Sequence, residues 1–341
     1  MSFIHLLLNW YYTHQRKLPW RENINPYSIW LSEIILQQTR VNQGMAYFIK
    51  FSETFPTIHD LAGAEEQKVL NLWQGLGYYS RARNLHKTAQ IIVKDYHGQF
   101  PQSFQELKKL PGIGNYTAAA IASICFDEKV PAIDGNAYRV YARAFGLEKD
   151  ISDSNAWKYY FEFAQKIMPS ENPGDYNQAI MELGATICLP KSPTCMFCPL
   201  QKDCVAFAVD KINLLPIKTR KVKVKKRYIH YYFIHYKDQF LIEKRIGKDV
   251  WKNMYDFPKE ELEGVDAEIQ KFNDLNPKFD YKIKHILTHR QLFISFYQIK
   301  IDNETIFKNL SQHYNIITAN DIETHPFPNP VADYLEQYFK V

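Results

Sequence analysis

Residues 110–136 read LPGIGNYTAAAIASICFDEKVPAIDGN, and the fold turns on how this stretch is parsed. Leu110-Pro111-Gly112-Ile113-Gly114 is too rich in Pro and Gly to continue a helix, yet helical spacing flanks it on both sides. Upstream, SFQELKKL (103–110) has apolar positions at helical intervals. Ser103 is placed as an N-cap with Glu106 three residues on, which is capping-box spacing. Downstream, NYTAAAIASIC (115–125) is Ala-rich and apolar, as a buried helix requires. A Gly-rich turn at a helix start leaves backbone N–H groups pointing outward, a ready site for an anion. Asp134 follows in the loop 132–136. Taken alone, PGIG also fits an ordinary corner between two helices.

LPGIG, a buried helix and then a lone Asp together resemble the helix–hairpin–helix, Gly/Pro, Asp superfamily of DNA repair glycosylases. The resemblance implies that the hairpin amides around Leu110, Gly112 and Gly114 hold a DNA phosphate, and that Asp134 works at a flipped nucleotide.

With 341 residues, two domains are the natural expectation. The chain is 46% apolar and 15% aromatic, enough for a large core without disulfides. A net charge of +5 permits a polyanionic partner without demanding one. The run Phe3-Ile4-His5-Leu6-Leu7-Leu8 is too short for a membrane span and is followed by Asn9 and Trp10. It reads as an amphipathic first helix rather than a signal peptide, so a soluble, cytoplasmic protein is expected.

Helical spacing recurs through FIHLLLNWYY, YSIWLSEIIL, VNQGMAYFIKF, EEQKVLNLWQ, RARNLHKTAQIIVKDY, AYRVYARAF and AWKYYFEFAQKIM. From Lys218 to Arg227 the chain runs KTRKVKVKKR, basic and without an acid, which reads as a solvated linker or one that also touches DNA backbone. Beyond it YIHYYFIHY, QFLIEKR and LFISFYQIK alternate as strands do, while DAEIQKF and VADYLEQYF look helical. The expected organisation is a mainly α region over 1–216, a basic linker over 217–227, and a smaller α+β domain over 228–341.

Cys188, Cys195, Cys198 and Cys204 form C-x6-C-x2-C-x5-C. Four thiols this close mean a metal site or a disulfide framework, and an intracellular chain argues against disulfides. Zinc usually takes paired C-x2-C knuckles, and here there is one. The spacing resembles the iron–sulfur loop of the endonuclease III and MutY-type glycosylases, which implies one [4Fe-4S] cluster held by the four cysteines. Zinc remains the alternative. Cys125 is expected to pack as a small apolar side chain.

Glu33 lies in YSIWLSEIILQQT (27–39). Facing inward among Trp30, Leu31, Ile34 and Ile35, its carboxyl would be desolvated and its pKa raised, making it a proton donor near neutrality. Facing outward, it would be an unremarked surface acid. LSEIILQQTRV (31–41) is similar to the segment that carries the catalytic Glu in the adenine DNA glycosylases of the MutY family. LPWR (18–21), GLGYYSRARNLH (75–86), LPGIGNYTA (110–118), IDGN (133–136), NQAIMELGATIC (177–188) and the four cysteines match that family in order.

The resemblance is dense over residues 1 to about 210 and loose beyond. It implies a glycosylase with a hairpin lobe over about 20–125 and an iron–sulfur lobe from 1–19 and 126–216. It implies catalytic roles for Glu33, Asp134, Tyr116 and Asn136, and an adenine pocket with Arg21 and Gln178. Gln38, Thr39 and Tyr78 would be DNA-binding, Gln38 and Tyr78 by wedging into the duplex; helix surface and core are their alternatives. Bifunctional members of the superfamily carry a Lys directly after the hairpin, because Schiff-base chemistry needs an amine. Tyr116 stands there, so base removal without strand cleavage is implied. Lys108 and Lys109, just before the hairpin, are phosphate contacts or solvated.

The C-terminal domain of the family is Nudix-like and reads 8-oxoguanine opposite the adenine. Residues 250–258, VWKNMYDFP, resemble its W-x-x-x-x-x-F-P strand, but Lys259 and Glu260 replace the usual Gly pair. No clustered REx2E glutamates follow, so no nucleotide hydrolysis is expected. The lesion-reading loop, usually Phe-Ser-His, is Leu287-Thr288-His289; Thr288 and His289 carry over, and Leu287 replaces the aromatic only in part. The implied activity is monofunctional excision of adenine from A:8-oxoguanine or A:G mispairs in double-stranded DNA, by a monomer. Rival readings are an endonuclease III-like glycosylase with lyase activity on oxidised pyrimidines, and a non-catalytic iron–sulfur DNA-binding protein.

Overall fold

A computed structural model describes residues 2–220, 224–247, 249–262, 264, 271–287 and 289–339. The chain divides into two compact units, one formed by 1–63 and 84–220 and the other by 64–83 and 221–341.

The first unit is helical throughout. Phe3–His14, Pro26–Leu36, Val41–Thr54, Asn115–Phe126, Gly135–Phe145 and Ala156–Ile167 fall on the segments read as helices, and Pro173–Thr186, met in the sequence as a motif alone, is a further one. Part of its core gathers Leu7, Tyr11, Val140, Tyr141, Tyr160, Tyr176 and Leu183. The stretch 103–110 is shorter than its spacing predicts, one helical turn over Phe104–Leu107. Ser103 does cap that turn, accepting from the Glu106 N–H at 3.3 Å. The reciprocal half of the box is not made: the Glu106 carboxylate takes Lys109 Nζ at 2.5 Å instead, and a charged donor outcompetes an amide.

In the second unit the segment 64–83 packs on the connections between strands, through Asn71 Nδ2 on the Glu323 carbonyl (3.1 Å) and Arg83 Nη1 on the Lys252 carbonyl (2.8 Å). The mixed sheet comprises β1 Lys225–Tyr236, β2 Gln239–Lys244, β3 Tyr255–Asp256, β4 Lys259–Leu262, β5 Lys278–Leu287, β6 Arg290–Lys300 and β7 Asn315–Thr318. Its main path runs β3-β2-β1-β6-β5, with β4 on β1 and β7 on β2. β1 and β6 are parallel, and the other pairs are antiparallel. Tyr231 to Ile234 are all buried, because both faces of β1 are covered. On one face Tyr334 of the helix Asn329–Phe339 stacks on Phe296, and Tyr338 meets Phe233 edge-to-face. The helix Glu304–Ser311 closes the other with Phe307.

β5 was not read from the sequence, although Phe279, Tyr281, Ile283 and Leu287 alternate in it with Lys278, Asp280, Lys282 and Lys284; it is an edge strand with an exposed, lysine-rich face. β1 begins at Lys225, within the basic run. Most of DAEIQKF lies outside the described residues, as does Thr288. Among the described residues, no helix is long and apolar enough to cross a membrane.

Candidate active site

The helix Pro26–Leu36 starts where the sequence marks it. Asn25 caps it, its side chain accepting from the Ser28 N–H at 2.8 Å, and Pro26 stands where no N–H is needed. Trp30, Leu31, Ile34 and Ile35 are buried. Glu33 faces inward onto a cleft of about 830 Å3. Burial raises its carboxyl pKa from 4.5 to about 7, the Asp134 carboxylate adds to the rise, and Tyr116 and Arg21 oppose it. The Tyr116 hydroxyl has Glu33 and Met181 Sδ (2.9 Å) as acceptors, and the carboxylate is the stronger of the two.

Asp134 is more than a loop acid. Its carboxylate is the N-cap of the helix Gly135–Phe145, accepting from the Ala137 N–H at 2.7 Å and from Asn136 Nδ2 at 2.7 Å. Burial raises its pKa too, but these donors and Arg139 favour the charged form and limit the rise. The two acids thus differ in kind. Glu33 sits in an apolar wall, whereas Asp134 sits in a nest of donors at a helix N-terminus.

The third wall is the helix Pro173–Thr186. Asn177 pins it: Nδ2 donates to Ser123 Oγ (2.8 Å) and the Val130 carbonyl (2.9 Å), and Oδ1 accepts from the Ala132 N–H (3.0 Å). Gly184 lets it approach the Asp134 helix, since a Cβ there would lie 2.5 Å from Asn136 Cβ. Gln178 and Glu182, one turn apart, both face the cleft. Arg21 Nε donates to Gln178 Oε1 at 3.1 Å, and Arg16 and Arg21 both pair with the buried Glu182. The arginines hold the Glu182 carboxyl below its ordinary value although burial opposes them.

Arg21, Glu33, Gln38, Thr39, Tyr116, Asp134, Asn136 and Gln178 therefore line one cleft. Sequence reading missed Arg16, Met181, Glu182 and Arg139. The motif NQAIMELGATIC contained Met181 and Glu182, but only the i, i+4 spacing of Gln178 and Glu182 hinted at a shared face. Tyr78 is not among the lining residues; it belongs to the segment 64–83, with φ +49° and Arg81 over its ring at 5.7 Å. Cys125 is half-buried behind Glu33, its thiol pushed up to about 12 by burial.

The hairpin lies apart from the cleft lining. Gly112 has φ +76°, and a Cβ there would meet Asn84 Cβ at 2.8 Å, so glycine is required on both counts. Gly114 caps the helix Asn115–Phe126 in extended conformation, and both glycines are exposed, presenting backbone amides to solvent. Lys108 lies over the Phe104 ring at 4.9 Å.

The four cysteines Cys188, Cys195, Cys198 and Cys204 line one small cavity of about 30 Å3 with apolar walls from Val140, Leu183, Ile187 and Leu200. Among the described residues no group of three or more His, Cys, Asp or Glu is arranged to hold a single metal ion. Arg143, buried, sets Nη1 at 3.5 Å from Cys188 Sγ and also donates to the Leu189 and Leu215 carbonyls. Four cysteine sulfurs converging on one apolar cavity are the donor set that a [4Fe-4S] cluster takes, so the residues present fit it.

An adenine DNA glycosylase of Buchnera aphidicola subsp. Schizaphis graminum is 36% identical over 342 residues, spanning 98% of this chain and 98% of that protein. The chain belongs to the adenine DNA glycosylase family. Residues 31–170 of this family member match the HhH-GPD superfamily base excision DNA repair proteins, and residues 230–337 match the NUDIX domain. The human adenine DNA glycosylase is 41% identical over 209 residues, covering 59% of this chain and 38% of the human protein. The structure of a thermostable thymine-DNA glycosylase is also similar. It has a TM-score of 0.56 and 29% identity, and covers 61% of this chain and 95% of that one. The helical glycosylase region and the Nudix-like domain expected from sequence are both present, and the chain is a DNA N-glycosylase of base excision repair with DNA as its partner.

Proposed function

We propose that this glycosylase hydrolyses the N-glycosidic bond of adenine opposite 8-oxoguanine or guanine in duplex DNA, acting on a flipped nucleotide as a cytoplasmic monomer. The observation that carries this reading is the pairing of Glu33, with a pKa near 7, and the donor-held Asp134 in one cleft. Adenine leaves poorly unless protonated. Glu33 gives its proton to N7, the C1′–N9 bond breaks with its electron pair passing to the base, and positive charge grows on the sugar. Asp134 offsets that charge, as paired carboxylates do in sugar hydrolysis. Water adds at C1′, its proton returns to Glu33, and the abasic site is the product. Tyr116 and Asn136 orient the two acids, while Arg21 and Gln178 take the base edge. Gln38 and Tyr78 each wedge into the duplex, offsetting a few kcal/mol of lost stacking, and Thr39 contacts DNA. No lysine lines the cleft among the described residues, which supports base removal without strand cleavage.

The hairpin amides of Gly112 and Gly114 hold backbone phosphate, whereas Leu110, buried and with its N–H on the Leu107 carbonyl at 3.1 Å, supports the turn rather than offering an amide; Thr288 and His289 read the opposite lesion. Cys188, Cys195, Cys198 and Cys204 would hold a [4Fe-4S] cluster, which when bound cross-links the loop 188–204. Single-turnover assays on duplexes with A opposite 8-oxoguanine, G, C and T test the reading. Release fastest opposite 8-oxoguanine supports it. Equal release opposite all four, or borohydride trapping on an oxidised pyrimidine, overturns it.

A further inference from the structure

Of the charged groups around the cleft, Glu182 has no part in the chemistry just described, yet it is the most completely engaged. Its side chain is fully buried, at 0% exposure. Oε1 accepts from Arg16 Nε (2.6 Å) and the Arg16 backbone N–H (3.2 Å); Oε2 accepts from Arg16 Nη2 (3.0 Å) and Arg21 Nη2 (2.9 Å). Arg21 is fixed further by donating Nη1 to the Arg16 carbonyl at 3.1 Å and by lying over the Tyr11 ring at 5.7 Å. With its guanidinium so placed, Nε meets Gln178 Oε1, which sets the amide orientation and leaves Nε2 as the donor turned away from Arg21.

We propose that Glu182 is the positioning residue of this site: it holds Arg16 and Arg21 as a pair, and through Arg21 orients Gln178 toward the base and limits the pull of the Arg21 charge on Glu33. The proposal rests on the reading of the cleft as an adenine site. An amide donor suits the ring-nitrogen acceptors of adenine and opposes the N1–H of guanine, so the orientation of Gln178 bears on which purine is taken. The charge effect follows from what faces Glu33. Tyr116 meets it from the helix Asn115–Phe126, Asp134 from the start of the helix Gly135–Phe145, and Arg21 from the turn Pro19–Glu22. Cys125 also lies near it, with a thiol that stays neutral, and Gln178 and Met181 complete the wall from the helix Pro173–Thr186. Of these neighbours Arg21 is the cation. Without its partner Glu182, Arg21 becomes an uncompensated charge that favours ionised Glu33.

The test is Glu182→Gln in the full-length protein, read by single-turnover adenine release, equilibrium binding to the mispair, and the pH dependence of the rate. A misplacement of the base contacts predicts a rate about 10²-fold lower at neutral pH. Mispair affinity should change by less than about 3-fold, and the pH at which the rate declines should move lower, because freed positive charge holds Glu33 ionised. A merely structural role would slow the reaction without moving that pH. Arg16→Gln, at a half-exposed position, removes two side-chain donors from Glu182 from the other side. It should slow release about tenfold even if Glu182→Gln does not fold. A wild-type protein that releases no adenine overturns the underlying reading. An active wild type with both variants within about 2-fold, and an unmoved pH profile, overturns this proposal alone.

Discussion

Arg139 Nε donates to the Cys188 carbonyl at 2.5 Å while its Nη2 donates to Asn136 Oδ1 at 2.7 Å. Asn136 in turn donates to Asp134, so one buried guanidinium ties the cysteine loop to the acid of the cleft. Arg139 also holds the Gly135 and Gly184 carbonyls, at 2.9 and 2.6 Å. Arg139→Ala strands these acceptors and should cost on the order of 3 kcal/mol, read as a drop in denaturation midpoint. Base release should fall as well, since Asn136 loses its anchor. Arg139→Lys keeps the charge but cannot reach acceptors on three sides, and should remain impaired in both measurements.

Protonated Glu33 is the active form, so the single-turnover rate should decline as pH rises through about 7. A rate that is flat from pH 6 to 9 would remove Glu33 as the proton donor.

Glu33→Gln should abolish adenine release and preserve mispair binding. It should also raise stability, and the sign follows from the raised pKa. Above about pH 7 the carboxyl is ionised in both folded and unfolded chains, and the folded state bears the burial cost. Between about 7 and 4.5 the folded state is already neutral and the cost fades; below 4.5 it is absent. The variant should therefore be more stable by on the order of 1–3 kcal/mol at pH 8, with no gain near pH 4. Denaturant titrations at the two pH values check this.

At the hairpin, Gly112→Ala forces a Cβ against Asn84 at a positive φ and should cost about 1–2 kcal/mol of stability. It should also weaken DNA binding uniformly across sequences and shallow its salt dependence. Gly114→Ala meets nothing within 4 Å, so its folding stability should stay within about 0.5 kcal/mol of wild type.

Thr288→Ala and His289→Ala should narrow the preference for 8-oxoguanine over guanine opposite adenine, measured as a ratio of single-turnover rates. His289 is exposed, and its carbonyl accepts from the Lys225 N–H at 3.0 Å, so the His289 substitution should leave folding unchanged. An unchanged ratio in both variants counts against lesion reading by this loop.

What could be read from sequence was whatever local chemistry enforces. Periodicity placed the helices of the first unit, Pro and Gly placed the hairpin, and the order of motifs pointed to Glu33, Asp134, Tyr116 and the four cysteines. β3 was invisible to it because it spans only two residues, and β5 was passed over because its apolar positions Phe279, Tyr281, Ile283 and Leu287 are interleaved with charges along an exposed edge. Other properties arise only when distant segments meet. Glu182 reads as one more helical acid until Arg16 and Arg21, more than 150 residues earlier, close on it. Asp134 reads as a loop residue until its carboxylate caps the next helix. The pKa of Glu33 belongs to this class as well: it depends on how much water the surrounding helices exclude, and that is a property of packing in three dimensions.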